Sequence, residues 1–211
     1  MNVIRWILFV FILTWLSPSS LLAQEETDFV PDQTAAGVRF KAALTGGVNL
    51  SQLEGDLLSG YHRVGFNVGG EVSVVLARRW TATVELLYSQ KGSRRNFRSD
   101  GPDGVFRAIR TNFVEAPFLI NYFDWKLRIS AGLAYGRLID FEVVDVFNDD
   151  ITEEFDFRSD YLSVLTGATY FFNEHWGLNI RHGWELTDLR ADENDDNLMG
   201  MNWTIRGLYQ F

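Results

Sequence analysis

The chain has 211 residues, enough for one domain or at most two, and 46% of them are hydrophobic with 15% aromatic, which is too apolar for a disordered protein. Its formal net charge of −9 argues against nucleic acid as a partner, because nucleic acid requires a basic face. It contains no cysteine, which excludes disulfides, thiolate metal sites and a cysteine nucleophile.

The N-terminal segment has the layout of a secretory signal peptide. Arg5 precedes an apolar run from residue 6 to residue 16, and small and polar residues then lead to Ala23. We therefore predict a cleaved signal peptide over residues 1–23, with an uncleaved anchor as the alternative. Residues 24–36 are polar and contain a proline, which predicts a flexible leader.

From residue 37 onward apolar and polar residues alternate, which is the period of a β-strand. In residues 80–91, for example, the even positions up to Tyr88 are apolar and most odd positions are polar. No segment shows a convincing helical period. The eight alternating segments are 37–50, 64–76, 80–91, 106–122, 126–139, 160–171, 176–187 and 199–211.

The connections between these segments alternate in length. Long connections at 51–62, 92–105, 140–159 and 188–198 are interleaved with short ones at 77–79, 123–125 and 172–175. An even number of strands with short turns on one side and long loops on the other is typical of an outer-membrane barrel. The sequence therefore predicts an all-β fold, an eight-stranded antiparallel up-and-down transmembrane β-barrel over residues 37–211.

The direction in which the apolar face points decides between two classes of barrel. If it pointed inward, the protein would be a soluble exported barrel that binds an apolar ligand. The polar face is rich in glycine, which suits a crowded interior and weakens an exposed strand. Aromatic residues on the apolar face lie beside the short turns or in the last strand, where an interfacial belt is expected. These are Trp80, Tyr122, Tyr170, Trp176, Tyr209 and Phe211. Both features favour an apolar face that points to lipid.

Three stretches carry a family resemblance. The sequences "GGVNLS" (46–51), "ELLYSQKGS" (85–93) and "NFVEAPFLINY" (112–122) resemble, in this order, motifs of the PorT-like outer membrane β-barrel family of Bacteroidota. The resemblance spans about residues 37–211. It implies an eight-stranded barrel in the cell outer membrane, inserted by the barrel-assembly machinery, which recognises the terminal aromatic residue. It does not imply a role in type IX secretion.

Charged residues on the polar face are expected to meet inside the barrel. An eight-stranded barrel has an interior just wide enough for side chains, and a buried charge stays ionised only when it is paired. We therefore predict a closed barrel in which Glu71 and Glu85 meet arginines across the interior. The predicted interior charge network comprises Glu71, Glu85, Glu115, Arg128, Arg181, Glu185 and Arg206.

Catalysis is not predicted. His62, His175 and His182 fall in a loop, in a short turn and on the lipid face, so they do not converge as a catalytic or metal site requires. An enzyme acting through the interior carboxylates is the alternative, although these acids are more simply explained as partners of the arginines. We predict no cofactor and no metal site.

The long connections differ in the sign of their charge. Residues 91–110 carry Lys91, Arg94, Arg95, Arg98, Arg107 and Arg110, whereas 140–160 contain Asp149, Asp150, Glu153, Glu154 and Asp156. We expect the two segments to pair above the barrel; the alternative is that the basic one binds the phosphates of lipopolysaccharide. The partners expected are outer-membrane lipids, the assembly machinery and a surface or periplasmic protein that the sequence does not identify. The function expected is structural or one of surface interaction.

Overall fold

The protein is a closed antiparallel β-barrel in which each strand pairs with its neighbour in the sequence. The computed structural model describes residues 40–54, 61–95, 106–147, 149–154, 157–188 and 199–211. The predicted signal peptide (1–23) and leader (24–36) lie outside these residues. The described residues contain no helix long and apolar enough to cross a membrane.

Eight strands form the barrel, and this confirms the predicted fold class. A short 3-10 helix, Thr152–Glu154, lies between the fifth and sixth strands. The strands are β1 Phe40–Glu54, β2 Arg63–Ala77, β3 Trp80–Arg94, β4 Phe106–Asp124, β5 Leu127–Asp145, β6 Asp160–Phe171, β7 Trp176–Glu185 and β8 Met199–Gln210.

The barrel closes between its first and last strands. β1 pairs with β8 from Ala43–Gln210 to Glu54–Met199, so neither strand leaves an open edge over this length. The connections define two ends of the molecule. The turn end carries turns of two to four residues, whereas the connections at the loop end are 8 to 14 residues long.

Several strands extend farther toward the loop end than the alternation predicts. β1 continues to Glu54, β3 to Arg94 and β5 to Asp145. At the loop end β5 projects beyond β6, because it pairs with β6 only as far as Arg137–Asp160 but with β4 as far as Phe106–Asp145. Residues that the sequence interpretation assigns to loops therefore belong to paired strands.

The polar face of each strand points into the barrel, and glycines on this face allow the strands to approach closely. A Cβ atom at Gly65 would lie 2.2 Å from the carbonyl oxygen of Gln90, so no larger residue fits there. Gly92 has a φ of 128°, a conformation that glycine adopts without strain. The predicted direction of the two faces is therefore the observed one.

Candidate functional site

The interior of the barrel holds the buried charged side chains. All seven residues of the predicted network are there, each no more than 5% exposed. They form two groups of contacts. We call the group nearer the turn end the Glu85 cluster (Glu71, Glu85, Arg128, Arg181 and Arg206) and the other the Lys91 cluster (Lys91, Glu115, Tyr161 and Glu185).

Glu85 is the centre of the first cluster. Its two oxygens accept hydrogen bonds from both terminal nitrogens of Arg181, at 2.6 and 2.8 Å, and from those of Arg206, at 3.0 and 3.1 Å. The Nε atom of Arg206 donates to Asn179 Oδ1 at 2.9 Å. One carboxylate therefore binds two guanidinium groups, each in the two-pronged geometry that makes arginine–carboxylate pairs strong.

Glu71 has a different partner from the one predicted. Arg128 donates to its two oxygens at 2.6 and 3.3 Å and also contacts Thr169 Oγ1. The sequence interpretation paired both acids with the arginines of β7 and β8, because strand stagger is not visible in the sequence. The tilt of the strands instead places Glu71 next to Arg128 of β5.

The second cluster is built around Lys91. Its Nζ atom lies 2.9 Å from Glu115 Oε1 and 3.3 Å from Glu185 Oε1, and it donates to the hydroxyl of Tyr161 at 2.8 Å. That hydroxyl donates to Glu115 Oε1 at 2.6 Å. The sequence interpretation ends the third strand on Lys91 as a polar-face position but counts it with the basic segment 91–110 and leaves it out of the interior network; the structure places it inside, 5% exposed. The sequence interpretation did not include Tyr161 in the interior network. This residue lies two positions before Ser163 and therefore shares the polar face of its strand.

The interior is close to neutral and filled with side chains. The two clusters together hold four carboxylates, three arginines and one lysine, and apolar groups lie beyond them at both ends. The group at the turn end comprises Ala43, Phe123, Phe171 and Leu208. The group at the loop end comprises Leu53, Ile109, Phe113, Val143, Phe157 and Tyr161. The charged clusters therefore lie between two buried apolar groups along the barrel.

The six predicted interfacial aromatics lie at the turn end. Trp80 packs edge-on against Tyr122, with ring centroids 5.1 Å apart, and Tyr209 packs between Trp176 and Phe211. The sequence interpretation missed two further members, Trp125 and Phe172, because they fall in short turns; both pack against Tyr170. These residues form the turn-end belt.

A second set of outward aromatics lies toward the loop end and was not predicted. It includes Tyr88, Tyr135, Trp184 and Trp203, which are 37% to 53% exposed, and Phe66, which is 67% exposed. Between the two sets the outer face is mostly aliphatic, with residues such as Val84, Leu133 and Ile180 about half exposed and Phe118 between the first two. An apolar band flanked by two aromatic girdles is the surface of a membrane barrel. The soluble carrier needs the reverse arrangement, so the structure argues against it.

The three histidines lie apart. His62 is next to the first residue of β2, His175 stacks on Tyr209 in a turn, and His182 stacks on the Trp203 ring at 4.7 Å. In the part of the chain that the structure describes, no three His, Cys, Asp or Glu side chains are grouped so as to hold a metal ion. Of the expected contacts between the basic and acidic connections, the structure shows an ion pair of 2.8 Å between Arg110 and Glu142.

Comparison with known proteins agrees with this architecture. Residues 23–190 match the family described as "Outer membrane protein beta-barrel domain". Comparison with curated protein sequences gives no match. Similar solved structures include the attachment invasion locus protein Ail of Yersinia pestis, in complex with the heparin analogue sucrose octasulfate (12% identity, 82% of this chain and 100% of that one, TM-score 0.45). Another is Neisserial surface protein A (12% identity, 82% of this chain and 97% of that one, TM-score 0.48). A third is the N-terminal barrel domain of Pseudomonas aeruginosa OprF (10% identity, 82% of this chain and 96% of that one, TM-score 0.40).

Proposed function

We propose, from the premise that this chain belongs to the outer membrane protein beta-barrel domain family, that it is a closed barrel of the outer membrane with a structural or surface-interaction role. The turn end faces the periplasm and the loop end faces outward, as in other barrels with this asymmetry of connections. Outer-membrane lipids contact the apolar band, and the loop end is available to partners at the surface.

The observation that carries this proposal is the paired, filled interior. Glu85 with its two guanidinium groups lies across the barrel from β3 to β7 and β8, and all three side chains are at most 4% exposed. A conducting pore needs a continuous polar path, which such contacts interrupt. The surface that remains for function is therefore the outside of the barrel and the loop end.

Planar bilayer recording tests the seal. The purified protein, with its folded state checked by a mobility shift on boiling, is expected to give no steady conductance. The physical reason is that ions would have to displace charge pairs buried among packed side chains. Sustained open-channel currents from folded wild-type protein would overturn the proposal of a closed barrel.

The finer assignments belong to the same proposal. We propose that residues 1–23 are a cleaved signal peptide, so N-terminal sequencing of protein from the outer membrane is expected to begin at Gln24. Membership of the PorT-like group is supported by the three motifs between residues 46 and 122. Insertion by the barrel-assembly machinery follows from that resemblance. No catalytic role is proposed.

A further inference from the structure

A cleft at the loop end is lined by an unusual concentration of arginine. Arg63, Arg94, Arg107 and Arg110 surround a cavity of about 370 Å³ together with Glu142 and Asp150. Four cations and two carboxylates give this lining a net charge of +2, on a chain whose net charge is −9. The cavity is large enough for a small ligand. Its lining shares no residue with the Glu85 cluster or the Lys91 cluster.

The strands turn two of these arginines outward. Arg94 follows the buried Ser93 in β3, and Arg110 lies between the buried Ile109 and Thr111 in β4, so both point away from the interior. Arg94 pairs with Ala108, which makes Arg110 its diagonal neighbour on the same face. Such neighbours are about 7–8 Å apart, close enough for two guanidinium groups to share one anion.

Arg63 approaches from β2, where the sheet opens. The pairing of β2 with β3 runs toward the loop end only as far as Asn67–Ser89, and the side chain of Gln90 accepts the next hydrogen bond, from Phe66 N. Arg94 and Arg110 both repel the guanidinium of Arg63, and Glu142 attracts it more weakly. Its Nε atom is buried and has no hydrogen-bond acceptor among the described residues. A donor held in this way, among like charges, is suited to an anionic ligand.

The two carboxylates of the cleft have other partners. Glu142 accepts a hydrogen bond from Arg110 at 2.8 Å, and Asp150 accepts one from the backbone nitrogen of Thr152 at 3.0 Å. Glu142 therefore offsets Arg110, and Asp150 is engaged within its own turn. The cationic character of the cleft near Arg63 and Arg94 remains.

We propose that this arginine cleft binds a phosphate group of a glycolipid headgroup in the outer leaflet. Arginine forks match the oxygens of phosphate. The cleft faces away from the barrel, and Arg110 lies four residues beyond Val114 of the outer face, roughly 13 Å along the strand. A displacement of this size leads from the apolar band to the level of the lipid headgroups. The lipid source rests on the proposed outward orientation of the loop end; the phosphate chemistry does not.

The test compares two charge-matched double variants in nanodiscs. Arg63→Gln with Arg94→Gln removes two of the four arginines of the cleft and leaves the Arg110–Glu142 pair in place. Arg78→Gln with Arg158→Gln removes two exposed cations outside the cleft. The probe is fluorescent diphosphorylated lipid A, and its dephosphorylated form is the chemical control. A mobility shift on boiling shows that each variant is folded.

We expect the cleft variant to bind the phosphorylated lipid about tenfold more weakly than wild type, and the control variant to stay within about twofold. Dephosphorylated lipid should bind wild type as weakly as the cleft variant binds the phosphorylated form. Equal loss in both double variants, or none in either, would overturn the site. Displacement of the lipid by inorganic phosphate at similar concentrations would overturn the lipid source, because free phosphate would then suffice. None of these results depends on whether the barrel conducts ions.

Discussion

At the scale of single residues, the interior charges are not equivalent. Glu85 is the only carboxylate that contacts both Arg181 and Arg206 among the ion pairs of the described residues. Glu71, by contrast, contacts one guanidinium, that of Arg128. Removing one partner of a buried pair leaves an uncompensated charge, so the cost depends on how many partners each group has.

The different numbers of partners predict which substitution in this cluster destabilises the barrel most. Glu85→Gln leaves two buried guanidinium groups without their anion and is expected to lower the free energy of unfolding by about 3–5 kcal/mol. Arg206→Gln leaves Glu85 still paired with Arg181 and should cost less. Urea unfolding of the protein in lipid vesicles, followed by tryptophan fluorescence, measures both changes.

The double variant supplies the internal check. Combining Glu85→Gln with Arg206→Gln leaves one unpaired guanidinium in place of two, so it should be more stable than Glu85→Gln alone. Strictly additive losses would contradict a direct interaction between these side chains. A larger loss for Arg206→Gln than for Glu85→Gln would contradict the central position of Glu85.

At the scale of the strand, depth in the membrane sets the cost of a charge on the outer face. Val84 of β3 lies midway between Trp80 of the turn-end belt and Tyr88 of the loop-end set. Leu76 of β2 lies one residue before the end of its strand, at the turn end. The two side chains are 53% and 58% exposed on the same outer surface, so they differ in depth more than in packing.

We therefore expect Val84→Arg to impair the stability of the inserted barrel by about 2–4 kcal/mol, and Leu76→Arg by about 0–1 kcal/mol. The charge of the first would lie near the bilayer midplane, whereas the second can reach water. Folding titrations into vesicles compare the two variants. Equal costs would mean that the band between the aromatic sets is not centred in the bilayer.

The strand pattern also explains how much of the structure was predictable. Alternation specifies which residues share a face, so the fold, the apolar exterior and the interior position of Glu85 and Arg206 follow from the sequence. The pairing of Glu71 with Arg128 does not follow from the sequence, because it depends on the stagger of strands that lie far apart in the chain. Lys91 was left out of the predicted interior network for a related reason, since the continuing end of a strand resembles the start of a polar loop.

At the scale of the whole molecule, the two ends differ in shape. The turn end is short and aromatic, whereas at the loop end β5 projects past β6 and is followed by a turn in which Asp150 pairs with Val144. Phe147, in the turn that follows β5, is 83% exposed. Outer-membrane barrels direct their longer connections to the cell exterior.

Single-cysteine labelling tests the orientation, because the natural sequence contains no cysteine. Phe147→Cys should react with a membrane-impermeant maleimide on intact cells. Glu174→Cys, in the exposed turn between β6 and β7, is the matched control and should react only after the outer membrane is permeabilised. The opposite result would place the loop end in the periplasm.

The Glu85 cluster also divides the chain by the sign of its charges. Both of its carboxylates come from the N-terminal half, on β2 and β3, and all three guanidinium groups come from β5, β7 and β8. A sheet in which only the first strands have formed carries Glu71 and Glu85 without their cations. The arginines neutralise these two acids when the later strands add to the sheet. The two halves are thus electrostatically complementary fragments, and the last seam to close, between β8 and β1, completes the neutralisation. Folding and unfolding of this barrel should accordingly be cooperative, with no stable half-barrel between the two states.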